Sequence, residues 1–290
     1  MIAGRAFAIV GAGMAGRSLA AALHARGARV AAIASRSLES ARQAAELAGR
    51  PLATTDPAEA ARRADVVALS VPDDAIAEVC RRVADGGGFR RGAVALHLSG
   101  ALGSEALAAA RACGAGVLAF HPVQTFASPD AAAFEGIVCV LEGDRAGVAL
   151  GAALARFLGA VPVEIRPEDK PLYHAALSVA CNYLVTLADV GAGLLAEAGL
   201  GEGALRALLP LLRGAVENLE RVGLPAALTG PISRGDLATL RAHLEALARR
   251  APALLPLYRT LGLHTVAVAE RKGTVSAAQA AAMRELLGGP

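Results

Sequence analysis

Four polar side chains recur at four-residue intervals in an otherwise apolar stretch: Lys170, His174, Ser178 and Asn182. In an α-helix this spacing drifts by only about 40° per step, so the four side chains share one helix face. Ammonium, imidazole and amide groups are able to protonate or orient a reacting carbonyl or imine. The pattern predicts a catalytic face, with Lys170, His174 and Asn182 as catalytic residues and Ser178 as a substrate contact.

Composition singles out two members of this face. The chain has 29 basic residues, of which only Lys170 and one other are lysines, and Asn182 is one of two asparagines. A lysine near a helix start has its pKa lowered by the positive end of the helix dipole, which suits a proton donor. The alternative interpretation is that Glu168 and Asp169 simply pair with Lys170 at the surface.

A glycine-rich segment near the N-terminus predicts a second kind of chemistry. A strand-like run is followed at once by the pattern GxGxxG and a helical pattern. In this context the first glycine allows the tight turn, the second admits a pyrophosphate, and the third lets helix and strand pack closely. The pyrophosphate would lie on the helix N-terminus. The predicted dinucleotide contacts are Gly11, Ala12, Gly13, Met14 and Gly16.

The end of the second predicted strand indicates which dinucleotide is bound. NAD enzymes place a carboxylate there for the ribose 2′-hydroxyl. This chain instead has Ser35, Arg36 and Ser37. A guanidinium flanked by hydroxyls suits a 2′-phosphate, so the segment favours NADP(H) as cofactor. Ser37 could equally serve as the N-cap of the helix that follows, and both roles are compatible.

Later strand ends extend this predicted site, because ligands of open α/β sheets collect outside the carboxyl ends of the strands. Ser70, Val71, Pro72 and Ser99 follow two such strands and are predicted cofactor contacts. His121 ends another strand and is a predicted substrate contact. Its alternative role is to hold a proline-containing loop by hydrogen bonds.

A compact Gly/Pro turn at residues 229–236 contains Arg234 and Asp236. The Arg234 guanidinium could bind a carboxylate through two parallel hydrogen bonds, which predicts a substrate contact. Asp236 can be interpreted equally well as the N-cap of the next helix.

The elements that must position these groups form two domains. Short apolar runs alternate with helical patterns over residues 1–166, which predicts a parallel sheet covered on both faces. After Arg166–Pro171 only helical patterns follow. The predicted fold is α/β, with an N-terminal Rossmann dinucleotide-binding domain at 1–166 and an all-α domain for substrate binding and dimerisation at 167–290. The predicted strands are Phe7–Val10, Arg29–Ile33, Asp65–Ser70, Val94–Leu98, Val117–Phe120, Ile137–Leu141 and Val161–Ile165.

Charge and cysteine content argue against several other functions. A net charge of +3, scattered arginine pairs and 3% aromatic residues do not suit nucleic-acid binding. The four cysteines are far apart and form no CxxC pair, which predicts no metal site and a reducing cytoplasm. The uncharged run Pro171–Ala188 contains His174, Ser178 and Asn182, so we expect a buried helix of a soluble protein and no membrane partner.

The chain resembles, over nearly its whole length, proteins that join a Rossmann-like domain to a C-terminal domain of unknown function (DUF2520). The architecture is also similar to the 6-phosphogluconate dehydrogenase-like superfamily, including pyrroline-5-carboxylate reductases, ketopantoate reductases and β-hydroxyacid dehydrogenases. The resemblance implies NADPH-linked reduction at a cleft between the domains and a homodimer formed by the helical domain. It rests on the Gly11–Gly16 loop, His121–Phe126, Tyr173-His174, Asn182-Tyr183, Thr229-Gly-Pro and Arg234-Gly-Asp236.

One departure limits what the resemblance implies about the acid. β-Hydroxyacid dehydrogenases and ketopantoate reductases carry asparagine four residues after the helix lysine, whereas His174 holds that position here. The predicted function is an NADP(H)-dependent oxidoreductase that reduces a small carboxylate-bearing carbonyl or imine, such as a 2-oxo acid, a ketopantoate-like compound or a cyclic imine. The alternative is an NADP(H)-binding sensor that uses the same fold without turnover.

Overall fold

The computed structural model describes residue 2 and residues 4–289 of the chain. It divides into two compact units, of which the first ends at Leu177 and the second begins at Ser178. Each unit is described by itself. The functional domain boundary between residues 166 and 167 stays a prediction.

Eight strands form a single sheet in the first unit, in the order β3-β2-β1-β4-β5-β6-β7-β8. All neighbouring strands are parallel except β6 and β7. The α/β class and the helical region after it are confirmed. The strands are β1 (Ala6–Val10), β2 (Arg29–Ala34), β3 (Leu52–Thr54), β4 (Val66–Leu69), β5 (Val94–His97), β6 (Gly116–Pro122), β7 (Val138–Gly143) and β8 (Val161–Glu164).

The strand order places a crevice where the candidate site is expected. β1 lies between β2 and β4, so the connections that follow β1 and β4 leave toward opposite sides of the sheet. Ligands of such sheets bind outside the carboxyl ends at this point. The helices of the first unit are α1 (Met14–Ala25), α2 (Leu38–Glu46), α3 (Pro57–Ala61), α4 (Asp73–Asp85), α5 (Ala108–Ala112), α6 (Arg145–Phe157) and α7 (Lys170–Leu177).

Burial explains why the sheet could be predicted so directly. All residues of β1, β4 and β5 are buried, since both faces of the sheet are covered. Such strands read as continuous apolar runs rather than alternating ones. The pattern does not predict β3 or α3, because they have only three and five residues and interrupt a polar, proline-containing segment.

The second unit consists of helices joined by turns, with no strand among its described residues, 178–289. Its small core includes Ile232, Leu240, Val266 and Met283, and lies among the last three helices and the turn before them. The helices are α8 (Tyr183–Leu195), α9 (Ala204–Val222), α10 (Leu237–Arg250), α11 (Leu255–Lys272) and α12 (Ala277–Gly288).

The first helices of this unit leave a large apolar surface exposed. The exposed fractions of Val185 and Leu211 are both 71%. The expectation that Pro171–Ala188 forms a buried helix is therefore wrong for the single chain, in which none of these residues is buried. Burial was expected from composition, which shows that a surface is apolar but not what covers it.

One stretch, Pro167–Val222, is long and apolar enough to cross a membrane by length and composition only. It is not one continuous α-helix. π-Helical turns interrupt it at Ser178–Asn182 and Ala196–Leu200, and Gly199 and Gly201 adopt positive φ values of 107° and 55°. The backbone therefore changes direction before α9 begins.

Candidate active site

The glycine loop has the close contacts that its sequence predicts. Gly11 has a φ of 111°, and a Cβ there would lie 2.0 Å from the Ser70 carbonyl oxygen. A Cβ on Gly16 would lie 2.4 Å from the Gly11 carbonyl oxygen and 2.9 Å from Ser70 Oγ. A Cβ on Gly13 would meet nothing within 4 Å. Two glycines thus join β1, α1 and the β4 end, whereas the third leaves open space.

That open space is suited to an anion. Gly13 is the N-cap of α1 and contributes no side-chain cap, so the first backbone N–H groups of the helix are not satisfied by a side chain of the cap. Unsatisfied N–H groups at a helix N-terminus bind phosphate groups. Ala12 and Met14 flank this position, and Met14 is exposed. These residues fit the pyrophosphate of a dinucleotide.

The residues after β2 fit a 2′-phosphate. Arg36 is exposed and has no ion pair among the described residues. Ser37 Oγ accepts a hydrogen bond from the Ser40 amide at 3.1 Å, which confirms its role as the N-cap of α2. Ser35 donates its amide to the Thr54 carbonyl oxygen at 3.2 Å. With Arg36 unpaired and no carboxylate at this strand end, the segment presents positive charge.

The turn after β5 is shaped by buried polar groups. Ser99 Oγ donates to Asp73 at 2.8 Å and accepts from the amides of Ala101 and Leu102 at 3.2 and 3.0 Å. His97 accepts from the Ser99 amide at Nδ1, which leaves Nε2 to donate to the Gly103 carbonyl oxygen at 3.0 Å. The Ser99 hydroxyl is thus committed to the turn, so a cofactor contact from this predicted residue would use its backbone.

A buried acid on β7 holds the other end of the same turn. Glu142 accepts hydrogen bonds from the Ser104 amide at 2.6 Å and from Ser104 Oγ at 2.7 Å. Only 4% of Glu142 is exposed. Asp73 at the start of α4 and Glu142 on β7 therefore both fix residues 97–104 by hydrogen bonds.

Gly100 is the point at which the predicted ionisable groups converge. A Cβ on Gly100 would lie 2.7 Å from His121 Nε2 and 3.0 Å from His174 Cδ2. The two imidazole rings therefore occupy the space that any other residue would fill. His121 comes from the end of β6 and His174 from α7, so residues 53 positions apart in the chain face one glycine.

Tyr173 pairs with one of these imidazoles. His121 Nδ1 and the Tyr173 hydroxyl are 2.5 Å apart, and the two rings pack edge to face. The partner of His121 is therefore a tyrosine on α7, and the alternative interpretation, that His121 holds the following proline loop, is not what the structure shows. Either the Tyr173 hydroxyl or the His121 Nδ1–H donates in this hydrogen bond, depending on the tautomer of His121.

Lys170 is buried beneath the same turn, with 2% of the residue exposed. Its ammonium lies 3.4 Å from the carbonyl oxygens of both Ser99 and Gly100. The alternative of a surface pair with Glu168 and Asp169 is wrong, because both acids pair with Arg166 instead.

Burial shifts the pKa values of Lys170, His121 and Tyr173 in this cluster. Burial lowers the pKa of Lys170, against the opposing charges of Glu142, Glu105 and Asp73. The direction predicted from the helix start is confirmed, but the main cause is burial. Burial and the neighbouring Lys170 and His174 lower the pKa of His121 to about 4. Burial raises the pKa of Tyr173 to about 12, so the His121–Tyr173 pair is neutral at pH 7.

The structure brings together only part of the predicted catalytic face. Lys170 and His174 lie in α7, in the first unit. Ser178 and Asn182 begin and end a π-helical turn in the second unit. A π-turn has more residues per turn than an α-helix, so the four-residue spacing does not keep one face beyond Leu177. The shared site of Lys170, His174 and Asn182 stays a prediction.

Arg234 lies in the second unit, in a short 3₁₀ turn, and is exposed. Asp236 bonds the Thr239 amide at 3.0 Å and its hydroxyl at 2.6 Å, so the N-cap interpretation of Asp236 is confirmed. The carboxylate contact of Arg234 stays a prediction.

Three polar residues of the site have no predicted role in the sequence. Glu142 is a lone acid in a strand pattern and Asp73 adjoins Asp74 at the start of a helical pattern, so nothing local distinguishes them from surface acids. Tyr173 adjoins His174, and its only signal was membership in the matching Tyr173-His174 pair. Their roles depend on which strand ends are neighbours. Among the described residues, no group of three His, Cys, Asp or Glu side chains is placed to hold a metal ion.

Comparison with known proteins agrees with this architecture. A Rossmann-like domain model matches residues 3–122, and the model described as "Domain of unknown function (DUF2520)" matches residues 137–265. No curated protein matches the chain. The chain thus has a region that matches the Rossmann-like model followed by a region that matches the DUF2520 model.

Solved structures of similar proteins extend over most of the chain. BF3122 from Bacteroides fragilis, provisionally described as an NADP oxidoreductase, is 27% identical, with a TM-score of 0.73 over 92% of this chain and 99% of its own. Protein TM1727 from Thermotoga maritima is also 27% identical, with a TM-score of 0.75 over the same shares. A Plasmodium falciparum pyrroline carboxylate reductase with NADP bound shares the fold at 12% identity, with a TM-score of 0.59 over 99% of both chains.

The lowered pKa of His121 predicts a pH-dependent stability. Between its ordinary pKa of 6.5 and its native value of about 4, the unfolded state binds a proton that the native state excludes. The free energy of unfolding should therefore fall as the pH falls through this window. Urea unfolding of the wild type and of His121→Gln between pH 4 and 7 measures the effect, because His97 and the carboxylates are common to both proteins. The wild type should lose stability relative to the variant on acidification; a constant difference would contradict the assignment.

Proposed function

We propose that this protein is an NADPH-dependent oxidoreductase that reduces a small carboxylate-bearing carbonyl or imine. The observation that carries the proposal is the convergence of His121, His174, Tyr173 and Lys170 on the Ser99–Gly100 turn. This turn follows β5 at the carboxyl edge of the sheet, where β1 also leads into the glycine loop. A proton donor and a dinucleotide site on one sheet edge are the two requirements of such a reduction.

The cofactor would be held by this chain's own groups along that edge. The open space at Gly13 and the N-terminus of α1 suit the pyrophosphate, and the unpaired Arg36 suits the 2′-phosphate. Ser70, Val71 and Pro72 follow β4 beside the loop. A nicotinamide bound there would supply the hydride. A similar protein described as an NADP oxidoreductase, and one whose structure has NADP bound, support this choice of cofactor.

The protein must then deliver a proton to the oxygen or nitrogen that the hydride leaves negatively charged. Lys170 and His174 are the proposed acids, and the lowered pKa of Lys170 brings its ammonium closer to the range in which acids transfer protons efficiently at neutral pH. The His121–Tyr173 pair provides a neutral hydroxyl donor beside them. Asn182 and Ser178 remain proposed contacts to the substrate, and Arg234 the proposed contact to its carboxylate.

A sensor that binds NADP(H) without turnover needs no proton donor at the nicotinamide end. The four converging ionisable groups therefore favour an enzyme. Oxidation of NADPH by any member of a panel of 2-oxo acids and cyclic imines would exclude the sensor; tight NADPH binding with no oxidation would favour it.

The proposed compartment is the cytoplasm. All cysteines of the described structure are free thiols, which supports a reducing compartment: Cys80, Cys113, Cys139 and Cys181.

Cofactor choice tests the Arg36 assignment. NADPH should bind more tightly than NADH by about 10- to 100-fold, since hydrogen bonds to a charged group contribute about 1.5–3 kcal/mol. Arg36→Asp should reverse this order, as measured by calorimetry. Arg29→Asp is the matched control, because Arg29 is equally exposed but begins β2 at the opposite end of the strand. Equal affinities of the native protein for both cofactors would contradict the assignment.

Proton delivery is tested by His174→Gln. Turnover should fall by about 10²- to 10⁴-fold, the usual contribution of a positioned proton donor, while NADPH affinity stays nearly unchanged. His24→Gln makes the same chemical change on an exposed histidine in the last turn of α1 and should alter neither quantity. A lower melting temperature with full turnover would show that His174 is structural.

We also propose that the helical unit forms a homodimer, because so large an exposed apolar surface needs a partner. Light scattering at about 10 μM should give about twice the chain mass of 29.1 kDa. Val185→Glu and Leu211→Glu, at residues 71% exposed in the single chain, should each produce a monomer. Val161→Glu, on the exposed edge of the sheet, should not. A monomeric native protein would remove the proposal.

A further inference from the structure

The second unit contains a cavity of about 420 Å³ between the turn before α10 and the C-terminal end of α11. Its lining combines two cations with three hydroxyls and one glycine backbone, and no carboxylate takes part. The polar lining residues are Thr229, Gly230, Ser233, Arg234, Lys272 and Thr274.

The positive charge of this cavity is not neutralised by nearby acids. Among the described residues, neither Arg234 nor Lys272 forms an ion pair. Asp236 is the acid closest in sequence, but its carboxylate caps α10 through Thr239. Arg234 contributes only a minor part of the lowered pKa of Asp236. Two cations thus face one cavity, and neither forms an ion pair among the described residues.

Lys272 is held in place by a neutral group. Its ammonium donates to the Leu228 carbonyl oxygen at 2.6 Å, which leaves two N–H bonds for other acceptors. Lys272 is also the second of the two lysines in a chain that otherwise uses arginine. It lies in the last turn of α11, where the helix dipole favours a cation. The ammonium is therefore positioned before any ligand arrives.

The buried hydroxyl of Ser233 also lacks a short hydrogen bond. Only 6% of Ser233 is exposed, and its Oγ lies 3.4 Å from both the Leu228 carbonyl oxygen and Thr274 Oγ1. These distances are at the outer limit for hydroxyl hydrogen bonds, which are ordinarily near 2.7–2.8 Å. A buried hydroxyl with such weak partners gains from a closer acceptor.

We propose that this cavity binds the doubly charged oxyanion of a small molecule, either a phosphate monoester or a dicarboxylate. Arg234 provides two parallel N–H donors and Lys272 a compact charge, and the hydroxyls complete the set around the oxygen atoms. Two cations match two negative charges, whereas Arg234 alone was predicted to bind a single carboxylate. Because Arg234 is also the proposed contact to the substrate carboxylate, this proposal rests on the proposed function for the identity of the ligand, whereas oxyanion binding itself is measured without cofactor or turnover.

Calorimetric titration of the full-length protein without cofactor tests this site, at constant ionic strength. The probes are inorganic phosphate and glycerol 3-phosphate for the phosphate class, succinate for the dicarboxylates, and acetate for a single charge. One doubly charged class should bind saturably and more tightly than acetate, which also identifies the source of the oxyanion. The absence of saturable binding by all four probes would overturn the proposal.

Variants separate this site from general charge effects. Arg234→Gln and Lys272→Gln should each weaken binding by about tenfold or more, and Lys272→Arg should retain most of it. Arg271→Gln removes the same charge from the neighbouring exposed position and should have no effect. The Arg234 side chain makes no hydrogen bond among the described residues, so its variant should fold even if Lys272→Gln loosens the turn.

Two results would contradict the assignment. Binding that survives both Arg234→Gln and Lys272→Gln would belong to another site, such as the glycine loop. Equal weakening by Arg271→Gln would show that only net charge matters. NADPH titrations of the same variants keep this test apart from the proposed function, because cofactor affinity should not change in any of them.

Discussion

A single buried cation underlies the arrangement of the candidate active site. The Lys170 ammonium lies beneath the turn that follows β5, within 3.4 Å of two backbone carbonyl oxygens. A charge removed from water must be offset by polar groups around it. Asp73, Glu142 and Glu105 provide that opposing charge. Asp73 and Glu142 also hold the residues of the turn in place by hydrogen bonds. The same two carboxylates therefore fix the shape of the turn and oppose the charge of Lys170.

Burial and that cation together set the state of His121. Burial disfavours a positive charge on its imidazole most strongly, and the nearby charge of Lys170 acts in the same direction. The imidazole consequently stays neutral at physiological pH and is able to share a proton with Tyr173. The rings of His121 and His174 both lie against Gly100, in space that a residue with a Cβ would fill. Gly100 is thus important here because it has no Cβ.

The two units differ in how much of their apolar surface is buried. The sheet of the first unit is covered on both faces, and its largest side chains, among them Phe7 and Phe120, are fully buried. The second unit has a compact core only around α10, α11 and α12, whereas α8 and α9 keep leucines and valines exposed. Helices of this kind are completed by another surface, which is the physical basis for proposing a second copy of the chain.

Much of the fold could be predicted from local sequence. Buried parallel strands read as continuous apolar runs, and the glycine loop encodes the contacts of β1, α1 and β4 in three residues. The same locality explains the correct N-caps at Ser37 and Asp236, since a cap bonds a backbone amide two or three residues away. The short β3 and α3 carried too few residues for any period to appear.

The sequence by itself thus determined the class of fold, the dinucleotide loop and the kinds of groups available for catalysis. Only the tertiary structure decided which of them meet. Lys170 contacts residues about 70 positions earlier in the chain, and Tyr173 pairs with His121 across 52 positions. These contacts depend on the order of strands in the sheet, because that order brings distant strand ends together. Helical spacing also failed past Leu177, because a π-turn changes which side chains share a face.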